Sequence, residues 1–153
     1  MLRHLIVFAI AVVTWQTAAA QDRPLGLGVI LGEPSGISFK SWLGKWTAWD
    51  AGIAWSIDGE DALHLHGDYL LHDFGLFEVD EGKLGLYYGI GGRLRIEDNS
   101  RLGVRIPVGL EYMFEGAPVD IFFELVPLLD LAPDTEFLMN GGIGARYFFP
   151  TRR

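Results

Sequence analysis

The sequence contains no cysteine. Disulfide bonds, thiolate metal ligands and a lipid anchor attached through cysteine are therefore excluded. Basic residues are also few, because 12 lysines and arginines are set against 20 aspartates and glutamates, for a net charge of −8. Nucleic-acid binding depends on basic residues that neutralise phosphates. The composition therefore argues against a nucleic-acid partner.

Long apolar runs are missing after residue 20, so no transmembrane helix is expected there. The first twenty residues contain one apolar run, Leu5 to Val13, which lies between the basic Arg3 and the small residues Ala18 to Ala20. This run is too short to span a bilayer, which takes about 20 residues. The layout is that of a secretory signal peptide cleaved after Ala20. We therefore predict a signal peptide over residues 1–20 and one exported domain over residues 21–153.

The dominant feature of the remaining chain is alternation of apolar residues with small or polar ones. Segments with this pattern are separated by short stretches rich in Gly, Pro, Asp, Asn and Ser, which favour turns. We read eight segments: 25–32, 36–43, 47–57, 62–72, 84–96, 101–114, 118–130 and 136–149. They predict an all-β fold, an eight-stranded antiparallel up-and-down transmembrane β-barrel.

The alternation gives every segment one apolar face and one polar face. In LGLYYGIGGRLRI, residues 84–96, one parity is apolar while the other includes Gly89, Gly91, Arg93 and Arg95. Glycines on the polar face leave room for long charged side chains inside a narrow barrel, and aromatic residues lie near strand ends, as at a bilayer interface. We therefore expect the apolar face to contact lipid. The alternative is a soluble periplasmic barrel or sandwich, in which the apolar face would lie inside.

Two stretches add a resemblance to this pattern. The first is the final predicted strand, GGIGARYFF, which ends on Phe149 with Tyr147 two residues earlier and is followed by the four residues PTRR. The second is DYLLHDFG (68–75) together with LYYGIGGRLRI (86–96). Over residues 25–149 the chain resembles small bacterial outer-membrane β-barrels of the eight-stranded class, which includes the barrel domain of OmpA-like proteins.

The resemblance implies a place in the outer membrane of a Gram-negative bacterium and a structural or membrane-integrity role. It also implies contacts with outer-membrane lipid and, during biogenesis, with the barrel-assembly machinery. It brings no enzymatic activity with it. We expect a monomer without a cofactor.

The polar face carries equal numbers of acids and bases well inside the predicted strands. We predict that these side chains form an ion-pair network that fills the lumen, because unpaired buried charges are costly. The alternative is the lining of a narrow pore. The predicted network comprises Lys40, Asp50, Asp68, Arg93, Arg95, Arg105, Glu111, Asp120, Glu124 and Arg146.

A smaller polar cluster suggests a second alternative, a lipid-modifying enzyme. Ser56, His64 and His66 share the inward parity with Asp68 and could form a Ser/His/Asp set. The sequence has neither a G-x-S-x-G motif nor a His-Ser-Asn run. His64 and His66 also lie on one face of a strand, but this spacing alone is weak evidence for a metal. We therefore predict no catalytic residue and no metal site.

Overall fold

The computed structural model describes residues 24–55 and 62–150, and in these ranges it is an all-β chain of antiparallel strands. The predicted signal peptide and Ser56 lie outside these ranges. The described residues include no α-helix that could span a bilayer. The strands are β1 Leu25–Glu33, β2 Ser35–Trp42, β3 Thr47–Trp55, β4 Leu63–Asp73, β5 Lys83–Ile96, β6 Arg101–Arg105, β7 Val108–Met113, β8 Val119–Ala132 and β9 Glu136–Phe149.

The nine strands form one sheet that closes into a ring. Apart from β6 and β7, strands that follow each other along the chain pair with each other, and β1 pairs with β9 from Leu25 opposite Phe149 to Glu33 opposite Gly141. β6 and β7 both pair with β5 and β8, so they share one place and the ring has eight strand positions. The predicted all-β antiparallel fold is confirmed.

The sixth predicted segment differs from the structure. The sequence predicts one strand over 101–114, whereas the structure has β6 and β7 separated by Ile106 and Pro107. Proline has no N–H to donate to a sheet ladder. The residues between β6 and β7 nevertheless stay bonded to the neighbouring strands. The N–H of Gly89 donates to the carbonyl of Pro107 at 3.1 Å, and the N–H of Ile106 donates to the carbonyl of Pro127 at 2.9 Å.

The alternation places the apolar residues outside the ring and the charged residues inside it. Leu31, Ile90 and Ile143 are examples of the outer face, each about 60 to 70 % exposed. Lys40 and Glu111 are fully buried inside the ring. This is the reverse of an ordinary soluble protein, in which charged residues cover the surface and apolar residues fill the interior.

Glycines on the inner face make room for large neighbours. A Cβ placed on Gly109 would overlap the ring of Tyr87, and one placed on Gly91 would overlap the carboxylate of Asp68. The missing side chain at each glycine therefore leaves room for a side chain that crosses the interior. This is the steric role that the sequence predicts for glycines on the polar face.

One end of the interior is closed by apolar side chains. Trp42, Ala48, Met113 and Phe148 pack together at the end of the ring where β1 begins and β9 ends, and Phe74 packs against them. All four are at most 7 % exposed. The charged interior therefore lies between this plug and the opposite end of the ring.

Candidate functional site in the charged interior

The interior layer nearest the plug is organised around Lys40. Its Nζ lies 2.8 Å from both carboxylate oxygens of Glu111 and 2.7 Å from Nε2 of His72. The ammonium group also lies 4.2 Å from the centroid of the Trp42 ring. Lys40 and Glu111 are fully buried, so the ion pair and the cation–π contact, and not water, stabilise the lysine charge.

Arg146 continues this layer. Its Nε lies 3.1 Å from both carboxylate oxygens of Asp120, and its Nη2 lies 2.8 Å from Oδ2. The same Nη2 lies 3.5 Å from Oε1 of Glu111, and the guanidinium lies over the ring of Phe122 at 4.0 Å. Arg146 therefore joins the Lys40 pair and Asp120 into one connected network.

The middle layer contains Arg105 with two carboxylates. Nε of Arg105 lies 2.8 Å from Oδ1 of Asp68, and Nη2 lies 3.5 Å from Oε1 of Glu124. The hydroxyl of Tyr87 donates a hydrogen bond to Oε2 of Glu124 at 2.7 Å. Nε of Arg105 and Oδ1 of Asp68 are close but not aligned for a hydrogen bond.

Three residues of the middle layer converge on one point. Asp50 of β3 lies directly opposite Asp68 of β4, and the imidazole of His66 lies beside them. One donor atom from each of the three lies within 4.8 Å of the other two. Oδ1 of Asp50 and Oδ2 of Asp68 are buried and have no hydrogen-bond partner. The pair of carboxylates is therefore poorly compensated, in contrast to the layer around Lys40.

The layer farthest from the plug is held by arginines. Nε and Nη2 of Arg93 bind the two oxygens of Asp130 at 3.1 and 2.7 Å. Arg95 lies 3.2 Å from Glu97. Arg101, which is a third exposed, contacts Glu136 at 2.9 Å. Charge pairing thus extends from the plug to the opposite rim.

The structure places the ten predicted network residues on the inner face, where some of them pair with residues outside the predicted set. All ten predicted side chains are buried. Arg93 and Arg95 bind Asp130 and Glu97, which lie outside the predicted set. His72 and Tyr87 also belong to the network, although they are not in the predicted set. The signal was available, since both occupy the inward parity of their strands.

The alternative catalytic set cannot be assembled from the described residues, because Ser56 lies outside them. His64 is buried and lies opposite Arg95, whereas His66 lies opposite Gly52 on one side and Arg93 on the other. The two histidines are therefore in different surroundings, and His66 is the one beside the carboxylates.

Two cavities differ sharply in size and position. A small one of about 20 Å³ reaches His66, Arg105 and Glu124 and has Glu33 and Pro34, at the first turn of the ring, in its wall. A groove of about 680 Å³ lies outside the plug at the opposite end; its wall includes Pro24, Trp42, Leu43, Gly44, Lys45, Trp46, Phe74 and Lys83. The small cavity has room for about one water-sized particle.

Comparison with known proteins adds no further evidence on the site. The chain matches no family model, and it matches no curated protein or solved structure.

Proposed function

We propose that this protein is an integral outer-membrane protein, an eight-stranded transmembrane β-barrel with a structural, membrane-integrity role. One observation carries the proposal: the outer face of the closed ring is apolar around its whole circumference, while the charges are inside. Water would penalise such a continuous apolar surface, whereas lipid would not. In lipid, a closed ring also leaves no strand edge with unpaired backbone groups.

Aromatic residues on the outer face support the same proposal. Tyr112 and Phe114 form an edge-to-face pair with ring centroids 4.8 Å apart, and Tyr147 and Phe149 form another at 5.2 Å. Both pairs lie at the end of the ring that carries the plug, because Tyr147 and Tyr112 flank the start of β8. Membrane barrels carry aromatic girdles at the lipid–water interfaces.

The filled interior supports a structural role rather than conduction. Three layers of ion pairs cross the interior, and the apolar plug around Trp42 and Phe148 closes one end. Eight-stranded barrels generally have interiors just wide enough for side chains to fill. These contacts connect the strands across the interior and leave little room for water and ions.

A soluble periplasmic protein is the competing assignment, and the exposed residues argue against it. A soluble sandwich or barrel buries its apolar parity. Here residues such as Val29, Leu102 and Phe123 on that parity are half exposed. A soluble form would therefore need a partner that covers the entire ring.

The first experiment is the gel mobility of the detergent-extracted protein, with and without boiling, together with cell fractionation. We expect the protein in the outer-membrane fraction, and a change of mobility on boiling as the detergent-resistant ring unfolds. Recovery of the protein in the soluble periplasmic fraction, with no mobility change, would refute the proposal. Recovery in the outer membrane with stable single-channel currents would replace the structural role by conduction.

A further inference from the structure

We propose that Asp50, His66 and Asp68 form a binding site for one divalent transition-metal ion, with zinc as the representative ion, inside the ring. The site is separate from the proposed membrane role and does not depend on it. Its donor set is one imidazole nitrogen and two carboxylates, which are ordinary zinc ligands.

The geometry of the three side chains carries the proposal. Asp50 and Asp68 are register partners on neighbouring strands, and His66 lies two residues before Asp68 on the same inner face of β4. Their donor atoms lie within 4.8 Å of one another. Zinc holds its nitrogen and oxygen ligands at about 2.0–2.2 Å, so ligands lie roughly 3.5 Å apart. Closing the site therefore takes an approach of the donor atoms from at most 4.8 Å to roughly 3.5 Å.

Glycines across from the cluster make room for two of its side chains. Gly52 lies opposite His66, and a Cβ there would overlap the imidazole. Gly91 lies opposite Asp68, and a Cβ there would overlap its carboxylate. Any residue larger than glycine at either position would therefore displace one of the proposed ligands.

The charges of the middle layer favour a divalent cation. Asp50, Asp68 and Glu124 supply three carboxylates, and Arg105 is the guanidinium that contacts two of them. The other nearby bases are engaged elsewhere, since Lys40 binds Glu111 and Arg93 binds Asp130. Ionised carboxylates would leave this layer with two uncompensated negative charges, which one divalent cation neutralises.

Two buried carboxylate oxygens without a hydrogen-bond partner also support the site. Asp50 and Asp68 are 5 % and 4 % exposed, and Oδ1 of the first and Oδ2 of the second have no hydrogen-bond partner. Buried polar atoms are rarely left in this state. A small cavity adjoins His66, and Glu33 and Arg105 also lie in its wall.

The test uses the folded full-length protein in detergent, freed of metal with a chelator. Zinc is added in competition with a chromophoric chelator, which reports stoichiometry and affinity. We expect one zinc per chain, and a loss of affinity of at least about tenfold in Asp50→Asn, Asp68→Asn and His66→Gln. His64→Gln is the matched control, because His64 lies on the same face of the same strand outside the cluster, and it should bind zinc like the wild type.

A spectroscopic measurement on the wild type keeps the test independent of variant folding. Cobalt(II) bound at the site should show visible absorption typical of nitrogen and oxygen ligands, and zinc should abolish it. The proposal is overturned if the wild type binds no zinc at equimolar concentration, or if His64→Gln loses as much affinity as His66→Gln. It is also overturned if folded Asp50→Asn binds zinc like the wild type. A failure of the membrane proposal would instead appear in cell fractionation and leave these results unchanged.

Discussion

Asp50 and Asp68 lie directly opposite each other on β3 and β4, and both carboxylates point into the ring. Like charges in this position destabilise an antiparallel pair. The contrast with Asp120 is direct, because Arg146 binds both oxygens of that carboxylate. Two buried aspartates of the same interior are therefore expected to respond in opposite directions to the same substitution.

The first prediction compares Asp50→Asn with Asp120→Asn in chelator-treated protein. Asp50→Asn should raise the free energy of unfolding by about 1 kcal/mol, because it removes a like-charge contact. Asp120→Asn should lower it by roughly 3–5 kcal/mol, because it leaves the buried Arg146 without its main partner. Urea unfolding followed by gel mobility measures both. Equal destabilisation by the two variants would contradict the assigned charge balance.

The second prediction concerns the outer face. Ile106 is half exposed. Arg105 before it lies opposite Gly91, and Val108 after it lies opposite Tyr88, so Ile106 lies across from the middle of β5. In a bilayer this position is near the midplane, and Ile106→Lys should cost about 2–4 kcal/mol.

The control for this prediction is Leu43→Lys, in the turn that follows β2 at one end of the ring. Leu43 is 58 % exposed, and a lysine at an interface should cost no more than about 1 kcal/mol. Folding into phospholipid vesicles at increasing urea measures both variants. A neutral Ile106→Lys would mean that this face does not meet lipid.

The third prediction tests the space that glycine leaves for His66. A Cβ on Gly52 would overlap the imidazole, so Gly52→Ala should destabilise the ring by about 1–3 kcal/mol. Gly67 is the matched control, because it lies beside His66 on the outer face and a Cβ there meets only an ordinary contact at 3.8 Å. Thermal unfolding measures both. The double variant Gly52→Ala/His66→Ala should recover part of the loss; if it does not, the overlap is not the cause.

The sequence was sufficient to predict the strands and the side of the sheet on which each residue lies. Side chains alternate strictly along a strand, so parity alone assigns Lys40 and Arg146 to one face. The interruption at Pro107 was missed, although proline has no N–H for the ladder. The chain there keeps its parity on both sides, so the periodic pattern shows no break.

The partners inside the ring could not be predicted in the same way. Register alone places Lys40 opposite Asp50, its neighbour on β3. The structure instead places its Nζ against Glu111 of β7, across the interior. The stem of lysine is long and flexible, so its partner depends on the closure and stagger of the whole ring. The convergence of Asp50, His66 and Asp68 depends instead on the register of β3 against β4, which the parity of the residues alone does not give.

The last prediction separates a structural interior from a conducting one. Arg105→Ala removes the guanidinium that contacts Asp68 and Glu124 and leaves buried carboxylates without it. The expected cost is roughly 3–5 kcal/mol of unfolding free energy. Current across planar bilayers should stay at background, because Trp42 and Phe148 still close one end of the ring.

Arg101→Ala is the control for Arg105→Ala. Its side chain is a third exposed, and its contacts with Glu97 and Glu136 lie at the rim. Its longer contact, 3.7 Å to the buried Asp130, leaves that carboxylate paired with Arg93, so the substitution should cost less than about 1 kcal/mol. Urea unfolding and bilayer recording are made on the same preparations. A folded Arg105→Ala protein of unchanged stability that conducts steadily would identify Arg105 as part of a pore lining. Loss of stability without current means that Arg105 stabilises the ring, because removing it weakens the fold without opening a path for ions.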